Sequence, residues 1–121
     1  MNPLHRRDAE AFTTLDRSEI RELAHPQGAP VVAQSLAEAR VFPGQVTVLH
    51  RHHRTEELYH ILEGAGLMTL GKEQFPVSPG ETVIIPPGTP HCIENPGPQV
   101  LRFLCCCAPA YSDDDTELLN A

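Results

Sequence analysis

Proline and glycine divide this chain into short pieces. There are 12 Pro and 8 Gly among 121 residues. They cluster at Pro43-Gly44, Gly64 to Gly66, Gly71-Lys72, Ser78-Pro79-Gly80, Pro86-Pro87-Gly88 and Pro96-Gly97-Pro98. Proline fixes φ and lacks an amide donor, so breaks this frequent leave no room for a helical bundle. Between them lie short apolar or alternating runs at 31–42, 46–52, 58–62, 67–70, 74–77, 82–85, 91–94 and 100–107. Eight short strands at this spacing predict an all-β antiparallel sandwich or barrel. The length suits one domain with its own core, and 40% hydrophobic residues suffice to fill it.

Residues 1–30 read differently. Asp16-Arg17-Ser18-Glu19 has the form of a capping box, an acidic cap with Glu three residues on. Ile20, Leu23 and Ala24 follow at helical spacing, and Pro26 stops the pattern. A short helix is predicted over 17–24, with loop at 27–30. The expected organisation is an N-terminal segment (1–30), a strand-rich domain (31–108) and an acidic C-terminal tail (109–121). The tail carries Asp113, Asp114, Asp115 and Glu117 and reads as a solvated surface segment or a flap over one edge.

Nine basic against 16 acidic residues give a formal charge of -7. Binders of nucleic acid or anionic membranes normally carry a basic excess, so neither partner is expected. No apolar run approaches the roughly 18 residues of a membrane span. Residues 1–12 include His5, Arg6, Arg7, Asp8 and Glu10 and no apolar core, so they do not read as a secretory signal. A cytoplasmic location is expected. Of the four cysteines, Cys92, Cys105, Cys106 and Cys107, three are consecutive. Neighbours on a strand point to opposite faces and pair poorly, so no disulfide framework is expected. Cys105 to Cys107 read as small buried strand residues, or as a run in which one thiol lines a pocket.

The seven histidines carry the chemistry. His50 and His52 follow the run Val46-Thr47-Val48-Leu49. Residues two apart on a strand share a face, so both imidazoles can point at one spot. Glu56 and Glu57 come next, and His91 follows the stiff turn Pro86-Pro87-Gly88-Thr89-Pro90. Three imidazoles and a carboxylate around one point make a site for a divalent first-row metal.

Gly44, five residues, His50-Arg51-His52, four residues, Glu57, six residues and Gly64 resemble the first motif of the cupin superfamily. Gly80, five residues, Pro86-Pro87-Gly88, two residues, His91, three residues and Asn95 resemble the second. Both are complete, and the short spacer of Ala65 to Pro79 is similar to that of compact single-domain bacterial cupins. The resemblance implies a double-stranded β-helix, a jelly-roll-like conical barrel, with a metal held by His50, His52, Glu57 and His91. Six residues before Gly64 favour Glu57 over Glu56. With Glu57 inward, strand parity turns Tyr59 and Ile61 inward and Leu58, His60 and Leu62 outward.

Four ligands on a six-coordinate ion leave two positions open, as catalytic sites require. The ion is one divalent first-row transition metal; Mn, Fe, Co, Ni, Cu and Zn all suit these ligands. The resemblance implies a metal-dependent enzyme acting on a small oxygenated organic substrate, of dioxygenase, decarboxylase, isomerase or lyase type. The alternative is a non-enzymatic cupin that senses a metal or small ligand. Tyr59 is the candidate catalytic residue, as hydrogen-bond donor or proton carrier, with core packing as the competing role. His53 and His60 have the wrong parity for ligands, and Glu63 and Glu94 are assigned to turns or solvent. Gly64-Ala65-Gly66 lacks the context of a dinucleotide fingerprint. A homodimer is expected, through outward Leu58 and Leu62 and the long strand at 31–42.

Overall fold

The computed structural model describes residues 2–119. The eight expected runs all contain strands, with three more outside them. In chain order they are β1 (Phe12–Thr13), β2 (Glu19–Ala24), β3 (Ser35–Val41), β4 (His50–His52), β5 (Glu56–Glu63), β6 (Gly66–Leu70), β7 (Glu73–Val77), β8 (Thr82–Ile85), β9 (His91–Glu94), β10 (Leu101–Ala108) and β11 (Thr116–Leu118). Two antiparallel sheets form, ordered β1-β2-β3-β10-β5-β8 and β11-β4-β9-β6-β7. The fold is an all-β double-stranded β-helix. Among the described residues, no helix is long and apolar enough to cross a membrane.

The core lies between the sheets. Ile61, Ile85 and Phe103 enter from the six-stranded sheet, and Met68 and Ile93 from the five-stranded one, all essentially without solvent contact. Each such side chain contributes about 1.5–3 kcal/mol of burial free energy. Period-2 alternation sets the partition. On β5, Glu57, Tyr59 and Ile61 are buried while Leu58, His60 and Leu62 face outward. On β10, Leu101, Phe103, Cys105 and Cys107 are buried and the residues between them are not.

The predicted helix over 17–24 is instead a turn followed by β2. Asp16 does act as a local acceptor, taking Ser18 N–H at 3.0 Å and the Ser18 hydroxyl at 2.7 Å. It closes the turn from β1 to β2, with Arg17 at φ 74. Asx turns and helix starts share this bonding, so the capping signal is ambiguous. Pairing of Ile20 with Ala39 and Glu22 with Ala37 on β3 decides the outcome, a tertiary override of local propensity.

The acidic run also departs from a solvated tail. Asp113 and Asp114 are exposed, but Asp115 is buried. Its carboxylate accepts Arg54 N–H and Thr55 N–H, each at 3.0 Å, and so fixes the crossing from β4 to β5. β11 then pairs along β4, Thr116 opposite His52 and Leu118 opposite His50. The run 31–42 yields β3, which is paired on both sides by β2 and β10. It therefore offers no free edge for a second chain.

Gly64 makes the turn from β5 to β6 at φ +82, and a Cβ there would lie 2.6 Å from the Val100 carbonyl oxygen. Only glycine satisfies both conditions. Asn95, fully buried, donates to the carbonyls of Val41 (2.9 Å) and Gln99 (2.7 Å). Its side chain ties the loop after β9 to β3.

Candidate metal centre

Three imidazoles come from one sheet and the carboxylate from the other. His50 and His52 project from the same side of β4, with partly exposed Arg51 between them. His91 opens β9 directly opposite His50. The preceding turn is anchored by Gly88 N–H, which donates to the His52 carbonyl at 2.6 Å. Glu57 arrives from β5. One ligand atom from each of the four residues lies within 4.8 Å of the others, and all four residues are buried. Glu56, the alternative carboxylate, is exposed.

The hydrogen bonds fix the tautomers. His50 Nδ1 donates to the Val48 carbonyl (2.7 Å) and His91 Nδ1 to the Thr89 carbonyl (2.9 Å). The Thr116 hydroxyl donates to the Ser112 carbonyl, so it must accept from His52 Nδ1 at 3.0 Å. Each ring therefore carries its proton on Nδ1, as metal-binding histidines commonly do, and presents the Nε2 lone pair inward.

Those lone pairs face an acceptor. Glu57 Oε1 lies 3.2 Å from His52 Nε2 and 3.4 Å from His91 Nε2. Glu57 Oε2 is already engaged by the Cys107 thiol at 3.3 Å. Among the described residues, the buried side-chain N and O atoms without a hydrogen-bond partner are Glu57 Oε1, His91 Nε2 and Glu22 Oε2. Buried acceptors aimed at one another are costly unless a cation stands between them. This set of three neutral nitrogens and one anionic oxygen fits a divalent first-row ion. The cluster can hold a metal.

Burial alone would push the Glu57 carboxyl up. Donors or positive charge on the side of His52 and His91 outweigh that and bring it to about 2, a place that a cation fills when the rings carry their protons on Nδ1. Burial, then repulsion from His91, lowers His50, which keeps that ring neutral and able to ligate.

A partly open cavity of about 40 Å³ adjoins the cluster, several times the roughly 10–15 Å³ that one water needs. Tyr59, Cys105 and Cys107 line it, together with Asp16 and Glu22. Tyr59 is buried against Phe103 with ring centroids 4.5 Å apart. Burial pushes its phenol, and the Cys105 and Cys107 thiols, well up in pKa. Both readings hold for two of the three: Cys105 and Cys107 are core residues that also line the cavity, whereas Cys106 faces outward and is partly exposed. His53 is exposed, and His60 faces outward to the Thr82 hydroxyl (2.9 Å).

Asp16 and Glu22 escaped the sequence reading. Asp16 Oδ2 is 3.8 Å from His50 Nε2. Glu22 sits on β2, and burial pushes its carboxyl up against the pull of His25. The readable signal was the alternation of Ser18, Ile20 and Glu22, three cavity-lining residues at period two.

Known proteins place this architecture. The uncharacterized protein MJ1618 of Methanocaldococcus jannaschii is 56% identical over 109 residues, covering 90% of this chain and 87% of that protein. The mannose-1-phosphate guanylyltransferase RfbM of Salmonella typhimurium is 35% identical over 75 residues, 62% of this chain but 16% of that enzyme. This chain thus matches a small part of such transferases. Among solved structures, the polyketide cyclase RemF of Streptomyces resistomycificus superposes with a TM-score of 0.80 or better (0.82), at 27% identity, over 100% of this chain and 87% of that one. Residues 37–107 match the cupin domain model, a stretch bounded by β3 and β10 that contains all four residues of the cluster. The chain belongs to the cupin family.

Proposed function

We propose that His50, His52, Glu57 and His91 hold one divalent first-row transition metal, and that the protein is a cupin enzyme acting on a small oxygenated organic molecule. The observation that carries this reading is the set of unpartnered acceptors, Glu57 Oε1 and His91 Nε2, buried at the point where the Nε2 lone pairs converge. A bound metal with open positions would supply Lewis acidity to a chelating substrate. The chain's own residues do the rest. Glu57 is oriented by the Cys107 thiol, the imidazoles by their Nδ1 bonds, and Tyr59 is a protonated phenol able to donate to a substrate in the cavity. The likeness to a polyketide cyclase supports catalysis over mere storage of the ion. The reaction type falls among dioxygenation, decarboxylation, isomerisation and lyase chemistry. A cytoplasmic homodimer is part of the same proposal. Its contact would be the outer row formed by Leu36, Cys106, Leu58 and Ile84 in lateral register, with Ile84 61% exposed. Light scattering at micromolar concentration reads the dimer directly.

Elemental analysis of tag-free protein tests the centre. The wild type is expected to carry about one metal per chain. His91→Ala is expected to weaken metal affinity by more than the roughly 10–100-fold that follows loss of a ligand's supporting hydrogen bond. Equal metal content in both proteins overturns the assignment. A metal-replete protein that binds small ligands but turns over none across keto acids, catechols, thiols and sugars supports the sensor reading instead.

A further inference from the structure

The inner cavity shares part of its wall with a larger space. A cleft of about 890 Å³ opens beside it, walled by the N-terminal segment, the residues after β2 and the chain around Tyr111. Glu22 and Tyr111 line both chambers. A ligand approaching the centre from this cleft would meet Glu22 at the shared wall.

The charge of this route is one-sided. Asp16, Glu22 and Glu57 line the inner chamber, and Asp8 and Asp113 join Glu22 in the outer one. Among the described residues, no lysine or arginine lines either. Four arginines are engaged elsewhere: Arg6 with Glu38, Arg40 with Glu19, Arg51 with Glu117, Arg102 with Glu38 and Glu63. The outer histidines are tied into local hydrogen bonds. His25 Nδ1 accepts Gln27 N–H at 3.2 Å while its Nε2 donates to the Tyr111 carbonyl at 2.8 Å. His5 Nδ1 accepts Arg7 N–H at 3.0 Å.

Two carboxyl groups, Glu57 and Asp16, already stand at the cluster. Among the described lining residues no lysine or arginine faces an anionic group, and Glu22 adds a further carboxyl. A site built for carboxylates or phosphates would offer a guanidinium or an ammonium to them. This one offers acceptors. Glu22 Oε2 is buried with no partner, so it lacks a donor that a ligand hydroxyl or amine would provide.

We infer that this site takes an uncharged or cationic small molecule bearing hydroxyl or amine groups, excludes carboxylates and phosphates, and uses Glu22 as the specificity-determining acceptor. This rests on the metal-centre reading and narrows it, removing keto acids and hydroxy acids from the substrates considered.

Cobalt-loaded protein provides the test, with two small probes of different charge, azide and imidazole, titrated at pH 8 while the visible d–d spectrum is followed. Glu22→Gln removes the charge without touching the cluster, so cobalt content stays at the wild-type level. Azide is expected to bind roughly fivefold tighter to Glu22→Gln than to wild type, the scale of one partly screened charge contact. Imidazole is expected to stay within about twofold, because a glutamine oxygen still accepts its N–H. Glu22→Ser repeats the charge removal with a different side chain, in case the first variant does not fold. Unchanged azide affinity in the folded variants, with full cobalt, overturns the ligand class alone. A wild type that retains no cobalt overturns the metal-centre reading, and this inference falls with it.

Discussion

At the level of single residues, the cysteines show how parity converts into reactivity. Cys105 and Cys107 are buried with thiols pushed up in pKa, and Cys107 donates to Glu57. Cys92 and Cys106 are partly exposed. Because the thiolate is the nucleophile, iodoacetamide at pH 8 is expected to label Cys92 and Cys106 well before Cys105 and Cys107 in the native protein. Peptide mass spectrometry reads the order, and comparable labelling of Cys107 would contradict the burial. The same parity made part of the cluster legible. Strand period put His50 and His52 on one face, while the choice of Glu57 over Glu56 and the addition of His91 rested on the spacing of the two cupin motifs, with which parity agrees. Asp16 and Glu22 were not legible, because residues 17–24 were read at period 3.6 and their side chains were assigned to a helix surface. A capping signal is local, whereas the partner that makes this segment a strand lies about fifteen residues away on β3.

Elements are limited here by their turns. Gly64 has both a left-handed φ and a neighbouring carbonyl where a Cβ would sit. Gly64→Ala is expected to cost about 2 kcal/mol, read as a lower urea midpoint at unchanged slope. A variant as stable as wild type would mean that the β5–β6 turn can relax. The eight central strands were visible in the sequence because Pro and Gly mark their ends. β1, β2 and β11 were not, since each depends on a neighbour rather than on its own pattern. β11 in particular is three residues long and is positioned by Asp115, whose bonds to Arg54 and Thr55 span some sixty residues of chain. Acidic residues in a row look solvated until the backbone donors that one of them satisfies are known.

Across the whole molecule, the outer face of the six-stranded sheet is held by charge. Glu38, nearly without solvent contact, accepts from Arg6 at 2.6 and 2.9 Å and from Arg102 at 3.3 Å. The hydrogen bond from Arg6 lowers its pKa, against burial and with help from Arg102. Since the folded value lies below the unfolded one, the unfolded chain binds the proton first as pH falls. The contribution is complete above pH about 4.5 and is lost progressively below it. Melting temperature followed from pH 7 to 3 is expected to fall less steeply for Glu38→Gln than for wild type, and parallel acid limbs would contradict this. The two-sheet architecture has one more consequence. Three imidazoles belong to one layer and Glu57 to the other, so a captured ion rivets the layers together. Its departure breaks bonds to both layers at once, and the narrow pocket, lined by the carboxyls of Asp16, Glu22 and Glu57, keeps out a bulky polyanionic chelator. Excess EDTA is therefore expected to strip the ion at a rate independent of EDTA concentration, tracking the breathing of the molecule; a rate that climbs with chelator would mean the ion can be reached from outside.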